Sequence, residues 1–196
     1  ESVHDAEQKL GELVTQVAAR GGKVIIPSFA VGRAQEVVYA LHQLWREQKI
    51  PDIPIFVDSP LAVDATTVFR MHPEVFDRRE RLVDDGHALF DFPLLRYVRS
   101  VIESKKINAM NGPAVIIAAS GMVESGRVLH HIATHAGDHR NCILFVGFQA
   151  EHTLGRRIQE GQSPIRVWGE LVDRHCEVAT IGGYSAHADA AEQPEE

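Results

Sequence analysis

Apolar positions along the chain alternate between two spacings. Leu10, Leu13, Val14, Val17 and Ala18 recur at helical period and Gly21-Gly22 stops them, which predicts an amphipathic helix. Lys23 to Ser28 follows as a short apolar run, read as a buried strand. Val38, Leu41 and Leu44 place a second helix over Gln35 to Trp45, Pro51 and Pro54 break it, and Ile55 to Asp58 reads as the next strand. Pro60 to Met71 reads as a helix with proline in its first turn. Phe76 to Pro93 reads as loop with short helices. Beyond it, Ala114 to Ala119 and Cys142 to Val146 are strands, each followed by a helix, over Gly126 to His135 and Thr153 to Gln159; Ile165 to Trp168 and Glu177 to Ile181 are two further strands. Continuous apolar strands alternating with helices predict an α/β fold, a mostly parallel sheet flanked by helices on both faces.

Such sheets bind ligands beyond the carboxyl ends of their strands, so the loops there carry the candidate chemistry. Ser28 and Ser120 place hydroxyls beside glycines, and backbone N–H groups such as that of Gly121 suit a phosphate or carboxylate. Arg33 and Arg127 offer forked hydrogen bonds to phosphate. Each residue also has a plain structural reading: the serines as helix caps, the glycines as turns, and the arginines as partners of Glu36 and Glu124. Four such loops on one rim point instead to an extended anionic ligand. The segment Gly182 to Asp189 sets His187 among small residues after a strand, where an imidazole suits proton transfer. Its alternative is a helix start capped by Ser185 or Asp189.

Composition narrows this picture. The 196 residues suit one domain, and a net charge of −7 argues against avid nucleic-acid binding by the chain alone without excluding a local basic groove. Cys142 and Cys176 read as buried free thiols of a reducing compartment, and no apolar run is long enough for a membrane span, so a cytoplasmic location is expected. His131, His135 and His139 recur at a spacing that metal-binding helices use, but no carboxylate accompanies them and Gly137-Asp138 ends the helix; they read as surface histidines. No HxHxDH and no HExxH run is present, so no metal site is expected in this chain.

Five runs in order, PSFAVGRAQE (27–36), DSPLA (58–62), AASGM (118–122), GFQAEHTLGRR (147–157) and GGYSAHAD (182–189), resemble the β-CASP group of metallo-β-lactamase-fold RNA-processing nucleases over nearly the whole chain. The resemblance implies a β-CASP domain over 1–181. It also implies a segment, 182–196, leading back toward a metallo-β-lactamase domain that binds two zinc ions through HxHxDH and further ligands. Single-stranded RNA then threads between the halves and is hydrolysed at a phosphodiester. Ser28, Arg33, Ser120, Gly121, Arg127 and Ser185 are expected to grip the substrate, and His187, in the SAHAD-like motif, to assist near the leaving group. Zinc is expected in the full-length parent and not in this chain, which alone is expected to be inactive; a homodimer is left open. As an insert, the domain should bring its first helix and the SAHAD segment to one side. The chain departs from the family pattern in lacking the metal motifs and the acidic EST-like motif, which Glu1-Ser2-Val3 matches only superficially; the last motif histidine would lie beyond Glu196, and His152 stands where a glycine is common. Two rival functions use the same residues: a free-standing module for phosphorylated small molecules, and a non-catalytic RNA-processing scaffold.

Overall fold

A computed structural model describes residues 2–72 and 90–184. Ser2 opens the first helix, α1 (Val3–Ala19): its hydroxyl accepts from the Asp5 N–H and the Asp5 carboxylate returns to the Ser2 N–H, so two otherwise orphaned donors are satisfied. The chain then runs β1 (Lys23–Pro27), α2 (Arg33–Arg46), β2 (Ile55–Asp58), α3 (Pro60–Met71), β3 (Leu95–Val98), α4 (Val101–Ala109), β4 (Ala114–Ala118), α5 (Arg127–His135), β5 (Cys142–Phe145), α6 (Leu154–Gln159), β6 (Ile165–Val167), β7 (Glu170–Val172) and β8 (Glu177–Thr180).

Six strands form one sheet in the order β3-β2-β4-β1-β5-β8, and every pairing in it is parallel. The chain first steps from β1 outward to β2 and β3, then reverses through β4, β5 and β8. Right-handed crossovers put the helices of the two excursions on opposite faces. The core divides accordingly. Leu10, Val37, Leu41 and Ala62 of α1 to α3 pack with Val24, Ile26, Val57 and Ile117, while Ile107, Val128, Ile132 and Ile158 of α4 to α6 pack with Ile25, Ile116 and Phe145. Each fully buried side chain of this size stabilises by about 1.5–3 kcal/mol. The α/β sheet with helices on both faces is as the sequence predicts.

Four elements depart from expectation. The sequence pattern predicts none of β3, α4 and β7. The run Ile165 to Trp168 does not join the sheet: β6 stops at Val167 and pairs antiparallel with β7 as a separate hairpin. The Phe76 to Pro93 loop lies largely outside the described residues, as does the SAHAD segment expected on the side of α1. No described helix is long and apolar enough to cross a membrane.

Candidate functional site

Because all six strands are parallel, the loops leaving β1, β2, β4 and β5 open on one edge, and two buried glutamines tie them together. Gln35, on α2, accepts from the Gly32 N–H at 2.7 Å and donates to Ala30 O, Ala62 O and the Thr66 hydroxyl, joining the loop after β1 to α3. Gln149, after β5, donates to Gly121 O at 2.9 Å, joining that loop to the one after β4. Both lie inside the sequence motifs, yet the motifs assign neither a task. Both are buried, and an amide kept from water seeks partners: the neighbouring loops and α3 supply them, except to Gln149 Oε1.

The predicted residues fall into distinct settings. Ser28 is buried; its N–H donates to Ala118 O and its hydroxyl to Phe29 O, so it caps no helix. Ser120 accepts from the N–H groups of Glu124 and Ser125 at 3.2 and 3.3 Å, closing the turn before α5. Gly121 lies so near the first loop that a Cβ there would sit 3.0 Å from the Phe29 nitrogen. Arg33 pairs with Glu36, its plain structural alternative, and its Nε lies beside Gly147. Arg127 turns away from Glu124. Its guanidinium binds Asp58 Oδ1 at 2.6 Å and donates to the carbonyls of Val98 and Arg99. Ser185 and His187 lie outside the described residues. β8 pairs parallel with β5, however, so the chain leaves the sheet at Thr180 on the same edge as the four loops.

The rim itself is apolar. Phe29 and Val31 after β1, Leu61 at the start of α3 and Phe148 after β5 are all exposed. Large apolar side chains gathered at one edge of a fold mark an interaction surface rather than scattered exposure. His152, where the family pattern favours glycine, takes φ of 69°, which explains the preference: that position needs the left-handed region. Gly155 is a stricter requirement. A Cβ on it would lie 1.9 Å from Gln149 Oε1 and 2.9 Å from Met122 O. Gly155→Ala is expected to destabilise by about 1–3 kcal/mol, seen as a lower thermal midpoint, with the Gln149 tie broken.

Beneath the rim sits a buried polar cluster. Asp58, at the end of β2, is 0% exposed. Its Oδ2 accepts from Ser104 and from His131 Nε2 at 2.5 and 2.6 Å, while its Oδ1 accepts from Arg127. His131 Nδ1 lies 2.7 Å from the Asn108 amide, and His135 Nε2 lies 3.0 Å from Asn108 Oδ1. Burial alone would raise the Asp58 carboxyl; the hydrogen bonds from His131, Ser104 and Arg127 outweigh it and hold the group below the usual carboxylate range. The helix histidines are therefore not surface residues as a set: His131 and His135 belong to the core, and only His139 of the three is exposed. The apolar stripe Val128, Ile132 on the same helix face predicts their burial. Among the described residues, no group of three or more His, Cys, Asp or Glu side chains is placed to hold a metal ion.

A family model described as the Beta-Casp domain matches residues 34–158. The chain is similar to transcription termination factor FttA of Thermococcus kodakarensis, at 38% identity over 195 residues, covering 96% of this chain and 30% of that protein. It is 40% identical to FttA of Pyrococcus abyssi over the same shares. It is 36% identical to ribonuclease TTHA0252 of Thermus thermophilus over 178 residues, 90% of this chain and 41% of the ribonuclease. The chain thus spans well under half the length of these relatives.

Proposed function

The chain belongs to the Beta-Casp family of RNA-processing nucleases, and from that premise we propose that it is the substrate-gripping domain of a longer, zinc-dependent enzyme that hydrolyses phosphodiester bonds in single-stranded RNA. The observation that carries this reading is the single edge on which four strand-end loops converge with exposed Phe29, Val31, Leu61 and Phe148. An apolar rim surrounding backbone donors suits a face that closes over a partner domain, here a metallo-β-lactamase half, with RNA between them.

In this reading the loops bearing Ser28, Arg33, Ser120 and Gly121 contact the sugar–phosphate chain. Arg127 acts one step back: by clamping Asp58 and the carbonyls after β3, it fixes where the loop before α5 sits. Ser185 binds phosphate, and His187 donates a proton to the departing oxygen. Zinc belongs to the longer enzyme, where it would supply the nucleophile.

Cleavage of 5′-labelled single-stranded RNA by the longer enzyme tests the proposal. Cutting that a chelator abolishes, and that the isolated 196-residue chain lacks, is expected. Hydrolysis by a pure sample of the chain alone would overturn the division of labour. RNA binding without cleavage by the longer protein would favour the scaffold, and binding of sugar phosphates in place of RNA would favour the small-molecule module.

A further inference from the structure

The β6–β7 hairpin turns through Trp168 and Gly169, at φ of 48° and 85°. A two-residue turn with positive φ at both positions prefers Asn-Gly, because a bulky side chain is disfavoured there. Tryptophan at the first position is a costly choice, and burial offsets little of it: Trp168 is 58% exposed. Its ring centroid lies 4.2 Å from that of His130 on α5. Strained, exposed aromatics of this kind gather at binding sites.

Trp168 overhangs a cavity of about 580 Å³ between the start of α5, α6 and the hairpin, within the ~300–1,000 Å³ range of ligand sites. Glu124, Arg127, Arg157 and Arg166 supply its charged lining. Arg127 is neutralised by Asp58, and the Glu124 carboxylate accepts from the Leu154 N–H at the start of α6. Arg166 is steadied by Gly169 O. Among the described residues no carboxylate forms an ion pair with Arg157 or Arg166, although the chain as a whole carries −7. The cavity therefore offers a flat aromatic surface beside two guanidinium groups that no described carboxylate pairs, and against the single Glu124 carboxylate they leave its lining net positive. That pairing matches a nucleotide, base against ring and phosphate against arginine. An acidic peptide would satisfy the cations and leave the platform idle.

We propose that this cavity binds one nucleotide of a single-stranded RNA, its base stacked on Trp168 beside His130 and its phosphate held by Arg157 and Arg166. The proposal rests on the RNA reading above and extends it. Residues 123–126 line the cavity and belong to the loop that follows β4 at the sheet's carboxyl edge, so one loop serves both the rim and the cavity.

The test is binding of a fluorescent single-stranded oligoribonucleotide to the longer enzyme, in chelator so that the RNA is not cut, read by anisotropy at several salt concentrations. Trp168→Ala is expected to weaken binding about tenfold and Trp168→Tyr to restore most of it. Arg157→Ala with Arg166→Ala should reduce the salt slope by about 0.7 per guanidinium removed. Unchanged affinity in both variants, or equal displacement by polyglutamate, would each overturn the proposal. The nuclease reading is judged separately, by cleavage in the longer enzyme.

Discussion

Asp58→Asn is expected to cost the fold about 3–5 kcal/mol, read as a drop in the urea midpoint at pH 7. The carboxylate is fully buried, and its two oxygens serve Arg127, His131 and Ser104. Removing its charge leaves the Arg127 guanidinium, itself largely covered, against neutral groups. Replacing Asp58 and Arg127 together with Asn and Met should lose less than the sum of the single changes, because neither charge is then left unpaired. The exposed pair Arg99–Asp64 is the contrast: breaking it should cost at most about 1 kcal/mol. A loss below that in Asp58→Asn would sink the view that this cluster holds β2, α4 and α5 in register. The sign with pH follows from the depressed carboxyl. The stabilisation is complete above the unfolded value near ~3.9 and is lost as pH falls through the lower folded value.

That cluster also marks the limit of sequence reading. The strands β1, β4 and β5 are legible because both faces of each are buried, and continuous apolar runs such as Val115, Ile116 and Ile117 have few other readings. β3 is an edge strand whose exposed Arg96 interrupts the apolar run, so it carries no such signature. α4 buries only Ser104 and Ile107, too little for a helical period, although Ser100 and Glu103 spell a capping box that signals its start. The hairpin escapes prediction because Ile165, Arg166 and Val167 alternate as any strand does. Gly169, two residues before Leu171, is the cue for a tight reversal. In the candidate site, motif order locates the correct loops, since parallel strands place their ends together. What the sequence does not encode locally is which carboxylate each arginine takes. Arg33 pairs with Glu36, three residues away, whereas Arg127 is drawn to Asp58, a partner separated by two strands and two helices.

His135 should make the domain acid-labile well before Asp58 titrates. Burial, and then the charges of Lys23 and His131, depress its imidazole to about 4 from an ordinary 6.5, against a smaller opposing pull from Asp138. The neutral ring fits its place, where Nε2–H donates to Asn108 Oδ1. The unfolded chain protonates this group first, so its neutral folded state contributes stability above pH 6.5, and that contribution declines as pH falls toward 4. Each tenfold weakening of proton affinity is worth about 1.4 kcal/mol, so the decline amounts to about 3 kcal/mol for this residue alone. His135→Gln keeps an amide donor near the Nε2 position and removes the titration. Urea midpoints between pH ~7 and ~4.5 should fall in the native chain and flatten in the variant. The Asp58 contribution, lost only at lower pH, should survive in both. Equal slopes in the two proteins across that window would mean that His135 is not held neutral by the fold, and that some other group senses the acid.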